Sequence, residues 1–485
     1  MTVNGKTDVL RTGEAGGLVI RGGALRGAGY AAGILLGAGT SVLLLRHLGV
    51  EDFGRYGVVI ALIGIVSAVT DAGLTAVGSR ELAILPEAER PALLRNLVGL
   101  RIGLTAAGVA AATGFAAIAG YPAVVVAGTA LAGLGVLLLN TQSTLMMPLA
   151  IELRLGAITL IETLRHALTL AGVAVLVLVG ASLLPFFGVQ IAVGAIVLVL
   201  TPALLGGLVG LRPRLDSATA RMLLRESLPI AAAIAMNVIY LRLLMILVSV
   251  QTDERETGLF ATAFRIFEIL LGIPTLVLAV ALPLLAVAGA EDRERLRYAL
   301  QRMTEIAVGA SLLLVLVTVV LAEQAIVLLG GESYREAAPI LRLLAFALLG
   351  IFVSQVLTLG LVSLRRQRDV ALANALALVL VIGLGLLLVE AYEGMGAAAA
   401  AVATEAVLAL LLLGLLARSA RTVVPSAGLI PRVLAAGVIG SLVALLPLTA
   451  WLTAPLAAAA FIGVGFALGA VPPEVVPALR GRKPR

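Results

Sequence analysis

The sequence predicts an all-α, polytopic membrane protein of about 14 transmembrane helices, each near 20 residues. Three observations predict it. Apolar residues make up 61% of the 485-residue chain, charged residues only 13%, and the mean hydropathy is +1.11. Soluble domains carry about twice that share of charge. The apolar residues fall into runs long enough to cross a bilayer. The basic residues collect in alternate connections between those runs.

In chain order the expected spans are 27–46, 57–78, 97–118, 123–146, 157–180, 187–209, 226–250, 258–287, 304–323, 339–362, 370–389, 396–417, 431–450 and 456–472. Before the first lies a polar, basic tail, residues 1–26. The run after it has spanning length, so it reads as a retained helix and not as the short core of a cleaved leader. One set of connections holds about 26 basic residues, from Lys6 and Arg11 through Arg293–Arg302 to Arg485. The other set holds 4: Arg46, Arg55, Arg255 and Arg335. The positive-inside rule then puts both termini in the cytoplasm.

A weak repeat divides the chain. Glu51-Asp52-Phe53-Gly54-Arg55-Tyr56 precedes one span and Glu256-Thr257-Gly258-Leu259-Phe260 another, with Gly54 matching Gly258 and Tyr56 matching Phe260. Each stands between the first and second spans of a six-span block, and six-span halves repeated in parallel are a common transporter plan. The expected division is a cytoplasmic tail at 1–26, an N-lobe at 27–210 (spans 1–6), a C-lobe at 221–417 (spans 7–12), two additional spans within 431–472, and a basic cytoplasmic tail at 473–485.

Composition excludes several functions. There is no cysteine, and His47 and His166 are far apart, so no metal site is expected. The net charge of +7 is spread over short loop clusters, almost all Arg, with no basic soluble domain to take up nucleic acid. Gly27-Ala28-Gly29-Tyr30-Ala31-Ala32 has G-x-G-x-x-A spacing, but it lies in a span and lacks the strand a dinucleotide site needs. Gly29, Gly33 and Gly37 read instead as a small-residue face for close helix packing. No P-loop motif occurs, and no cofactor is expected.

Function is sought in the charges inside the spans, each of which costs about 2.5–3.5 kcal/mol to insert. They are Asp71, Arg101, Glu162, Arg165, His166, Arg242, Arg265, Glu268, Glu305, Arg342 and Glu405. Glu162 can reach Arg165 and His166, and Arg265 can reach Glu268, at helical spacing. Arg101, Glu305 and Arg342 can snorkel to an interface. Asp71 and Arg242 have no local partner. A cavity holding Arg242, Arg265 and Arg165, with Glu268 and Asp71, would suit an anionic, phosphorylated substrate, because the guanidinium fork holds phosphate oxygens in pairs. Asp71 is the candidate for binding a coupling ion, or else a fixed counter-charge to an arginine. Phe260, Phe264 and Phe267 line one helix face, read as packing or as a wall for sugar or prenyl chain.

Arg46, Leu48-Gly49, Glu51-Asp52-Phe53-Gly54, Tyr56, Asp71-Ala72-Gly73 and Arg80-Glu81-Leu82 together resemble the opening of the polysaccharide transport (O-antigen-flippase-like) family of the multidrug/oligosaccharidyl-lipid/polysaccharide exporter superfamily. Gly258-Leu259-Phe260-Ala261 with Arg265 resembles that family's second-lobe entry. The segment Leu328 to Ala345, with Tyr334, Ala337, Pro339 and Leu341, is similar to a further family segment. The resemblance implies two six-helix lobes around a central cavity and alternating access. It also implies a flippase in the bacterial cytoplasmic (inner) membrane that moves an undecaprenyl-pyrophosphate-linked oligosaccharide for surface polysaccharide synthesis. Cationic residues would meet the pyrophosphate, with Arg265 and Asp71 carried over by motif. The partners implied are the lipid-linked oligosaccharide, the bilayer and, as a candidate, the polysaccharide polymerase machinery. The alternatives are a cation-coupled multidrug antiporter of the same superfamily and, more remotely, a membrane glycosyltransferase or polymerase using Asp253, Glu254 and Glu256. The expectation is a non-enzyme.

Overall fold

A computed structural model of the chain describes residues 15–469 except 72, 205–212, 292, 427 and 429. The tail expected at 473–485 and most of that at 1–26 lie outside the described residues. Among the described residues there is helix and no strand. This is what lipid demands of apolar segments, since a helix satisfies every backbone polar group internally.

The helices are α1 (Ala15–Asp71), α2 (Leu74–Ile84), α3 (Arg90–Ile118), α4 (Ala123–Leu145), α5 (Met147–Ile151), α6 (Leu155–Leu178), α7 (Leu183–Leu204), α8 (Ser217–Gln251), α9 (Glu254–Glu291), α10 (Arg293–Gly330), α11 (Ala338–Ala345), α12 (Ala347–Ser363), α13 (Gln367–Ser419), α14 (Ile430–Ala444) and α15 (Ala450–Ala467). Each expected span falls mainly on helix where it is described, and the chain is a multi-pass membrane protein. Span 431–450 ends early, at Ala444, span 339–362 is divided between α11 and α12, and three further differences involve turns of the backbone. The first two spans share α1, which turns at Gly49 (φ 73°), a left-handed conformation that glycine adopts without strain. The second span is not one helix to residue 78: α1 stops at Asp71, Gly73 takes φ 75°, and α2 begins at Leu74. Spans eleven and twelve share α13 across a turn at Glu393 (φ 50°). That non-glycine turn is held by Glu256 Oε1, which accepts from Gly394 N at 3.0 Å.

The chain forms two compact units. The first comprises residues 1–47 and 62–231, the second 48–61 and 232–485. In the first, Leu74, Val77, Leu94, Leu97, Leu145, Leu149 and Ile161 make a buried core joining α2, α3, α4, α5 and α6. Within this unit the glycine face of α1 meets α6 at two of its three positions. A Cβ on Gly29 would strike Thr159 and one on Gly33 would press on His166, whereas Gly37 faces open space.

In the second unit the junction of α1 and the start of α9 are pressed together. A Cβ on Gly54 would sit 2.8 Å from Gly258 N, and one on Gly258 would sit 2.0 Å from Val50 O. The two glycines that match in the sequence repeat therefore touch. Arg55 donates to Glu254 and Asp52 beside them. Phe260 and Phe267 are wholly buried and stack through Phe264, which is the packing reading of that face. The helices α14 and α15 pack on α10 through Leu316, Val433, Ala436, Ala457 and Phe461.

Candidate functional site

Charges inside the spans gather in two places, one in each unit. In the first unit the site is built on the break after α1. A helix end leaves backbone carbonyls without partners, and here Arg101 of α3 supplies one: its Nη1 donates to Thr70 O at 3.1 Å. Its Nη2 donates to the Asp71 carboxylate. Thr75, in the first turn of α2, also donates to Asp71. Arg101 is 1% exposed and does not snorkel, whereas half of the Asp71 side chain is exposed. Behind the pair lies a polar layer: Thr105 and Asn140 reach Thr70 at 3.4 and 3.5 Å, and Ser67 reaches Asn140 at 3.4 Å. The carboxylate proposed for a coupling ion is thus engaged by a guanidinium and a hydroxyl.

In the second unit Glu268 of α9 is shared by two arginines. Arg242 of α8 lies 3.2 Å from its Oε1 and Arg265, one turn earlier on α9, lies 3.1 Å from its Oε2. The three side chains are partly exposed, from 22% to 38%. Two cations on one anion leave a net positive charge. Tyr56 of α1 lies within electrostatic reach of Arg265 and Glu268. Arg265 stands eleven residues into α9, or about 16 Å along the axis at 1.5 Å per residue. That is about half the thickness of a bilayer core of some 30 Å.

The remaining expected residues are placed singly. Arg165, in α6 of the first unit, feels the charge of Glu162 but forms no direct ion pair with it, and Glu162 is exposed. Glu305 is bound by Arg302 and Gln301, and Arg342 by Glu323. The acidic triplet proposed for glycosyl transfer has structural partners throughout. Asp253 caps α9, accepting from Glu256 N at 2.7 Å. Glu254 holds Arg55, and Glu256 holds the turn at Gly394. Burial raises the Glu256 carboxyl above the ordinary carboxylate range despite that hydrogen bond. Among the described residues no cluster of His, Asp and Glu could hold a metal ion.

Sequence reasoning did not join Asp71 to Arg101 or Arg242 to Glu268. The signal available for the first was the Asp71-Ala72-Gly73 turn, which marks a helix end in need of a cation.

A family model described as polysaccharide biosynthesis protein matches residues 19–288, more than half of the chain, and a second, MatE, matches residues 229–387. No curated protein sequence matches the chain significantly. Among solved structures, the fold is similar to that of the lipid II flippase MurJ in an inward closed conformation (TM-score 0.75, 12% identity, 92% of this chain and 99% of that one). It is similar to an inward-facing multidrug resistance MATE family transporter of the MOP superfamily (TM-score 0.68, 15% identity, 80% and 95%). It is also similar to a MOP superfamily transporter from Pyrococcus furiosus Vc1 (DSM3638) described as having a binding pocket of reverse polarity (TM-score 0.56, 14% identity, 83% and 96%). At these identities the likeness is one of fold.

Proposed function

The chain belongs to the polysaccharide biosynthesis protein family, and on that premise we propose that it is a flippase. Its cargo is an undecaprenyl-pyrophosphate-linked oligosaccharide, carried across the bacterial cytoplasmic membrane by alternating access of an N-lobe (27–210) and a C-lobe (221–417), with both termini cytoplasmic. The observation that carries the reading is the Arg242–Glu268–Arg265 cluster. A pyrophosphate brings paired oxygens that match the guanidinium fork. It can take the place of Glu268 at both arginines, so the cluster holds an anion with little rearrangement and recovers its own counter-ion on release. In the first unit Asp71 holds Arg101 as a fixed counter-charge, and Arg165 is a separate cationic candidate.

The test is export of surface glycan in cells that depend on it, with Arg265→Ala and Arg242→Gln. Both variants reach normal protein levels and lose export. Undiminished export in both overturns the cationic-site mechanism.

A second reading, a cation-coupled multidrug antiporter, is favoured by the MatE match over residues 229–387. Cationic drugs call for an acidic or apolar site, which the arginine-rich cluster is not. Native mass spectrometry of the gently purified protein separates the two: a co-purifying prenyl-pyrophosphate glycan supports the flippase, and drug resistance on overexpression without such a lipid supports the antiporter.

A further inference from the structure

Of the described intramembrane acids outside the two clusters, Glu405 is the most deeply buried. Glu405 stands in the middle of the second half of α13, and its side chain is 1% exposed. Its Oε1 accepts a hydrogen bond from the Tyr240 hydroxyl of α8, while its Oε2 is buried without a partner. Helix α12 closes over it at Gly350, where a Cβ would meet Glu405 Cβ at 2.7 Å, so any larger residue there would force α12 away.

Among the described residues no cation answers this carboxyl. Helix α12 carries no charged residue. The nearest charges on α13 are Glu393 and Arg418, more than three turns away in either direction. On α8, Arg242 is bound to Glu268. Helices α9 and α11 also pack on α13. They bring Arg265 and Glu268, which pair with each other, and Arg342, which pairs with Glu323. The charges at the start of α9 are engaged with Arg55, Glu336 and Gly394.

A buried carboxylate without a cation or a full set of donors is far less favourable than the neutral acid, and an uncompensated acid in a span is by default a candidate functional site. The unpartnered Oε2 is the atom on which a proton sits, since Tyr240 already donates to the other oxygen. We infer that Glu405 is a proton-binding site of the second unit, loaded in this conformation, whose release of a proton to water drives a change of state. The step balances simply: the carboxylic acid loses a proton from Oε2 to an incoming water, and the resulting carboxylate keeps the hydrogen bond from the Tyr240 hydroxyl. The charge then left beneath α12 favours any rearrangement that hydrates it. Tyr240 carries this to α8, the helix that holds Arg242.

The inference rests on the transport reading, but its test needs no cargo. Infrared spectra of the purified protein are compared for the native chain, Glu405→Gln and Tyr240→Phe. The native protein shows a protonated-carboxyl band at neutral pH that Glu405→Gln lacks. In Tyr240→Phe the band moves to the position of a carbonyl without a hydrogen bond. It disappears in alkaline buffer. A native spectrum without that band, or a band that does not titrate, overturns the proposal.

The native chain has no cysteine, so single cysteines introduced into α4 and α12 can be spin-labelled cleanly. The distance distribution of the native background shifts between mildly acidic and alkaline buffer, and that of Glu405→Gln does not. An equal shift in both assigns the pH response elsewhere and overturns the proposal. Tyr240→Phe keeps the acid and serves if Glu405→Gln fails to fold. Failure of these measurements leaves the glycan reading standing. Undiminished export in the arginine variants together with a titrating Glu405 leaves the proton site standing.

Discussion

The Asp71–Arg101 pair of the first unit and the Arg242–Glu268–Arg265 cluster of the second place charge inside spans in opposite ways. In the first the cation is buried, the charges balance, and the guanidinium also serves the broken end of α1. In the second all three groups are part-exposed and two arginines share one carboxylate. A balanced pair whose cation is buried holds a structure together. An unbalanced, accessible cluster can take an anion. Burial and charge balance, and not the mere presence of an ionisable residue in a span, separate the two roles.

The largest expected effect follows from breaking the buried pair. Asp71→Ala strands Arg101 without a counter-charge, and such a loss costs about 3–5 kcal/mol. Arg101→Met costs less, about 2 kcal/mol, because the half-exposed Asp71 can turn to water. The double variant is less destabilised than the sum of the two, since the groups are in contact. Chemical unfolding followed by circular dichroism in detergent checks all three. Strict additivity would show that the pair does not couple α1 to α3.

The second unit gives the contrasting result. Glu268→Gln changes stability little, because its arginines remain solvated, but it removes the carboxylate they share. Affinity for inorganic pyrophosphate, read by titration calorimetry, rises about tenfold, equivalent to one charge-assisted hydrogen bond. Arg265→Ala lowers it by a similar factor. A Glu268→Gln protein that binds pyrophosphate no better than the native chain would put the anion site elsewhere.

The contrast between the units was only partly legible in the sequence. Hydropathy alone locates the spans, because their length is imposed by the bilayer. Arg265–Glu268 was legible because both lie on one helix face at i, i+3. Asp71–Arg101 and Arg242–Glu268 were not, since their partners sit on different helices and only packing brings them within reach. The Glu162–Arg165 spacing shows the converse: helical spacing permits a contact, but Glu162 faces outward and leaves it unmade. The breaks at Gly49 and Gly73 carry a glycine signal. The turn at Glu393 carries none of its own, because the group that holds it, Glu256, is distant in the chain.

The smallest expected effect sharpens the same comparison with a carboxylate outside the spans. Asp216, like Asp71, sits at a helix end of the first unit, but outside the expected spans. It caps α8 by accepting from Thr219 N at 2.8 Å and Thr219 Oγ1 at 2.7 Å, and its own N–H donates to Asn96 at 2.7 Å. The hydrogen bonds from Thr219 hold its carboxyl below the ordinary carboxylate range. A carboxyl whose folded value is depressed contributes its stabilisation in full above the ordinary value, near 4, and loses it as pH falls through the lower folded value. Asp216→Asn keeps an acceptor for Thr219 but cannot take up that proton. Its unfolding midpoint therefore changes little at neutral pH and declines less steeply than that of the native chain on acidification. Parallel acid profiles for the two proteins would mean that the cap at α8 adds nothing to the first unit, leaving Arg101 as the group that holds its helix ends.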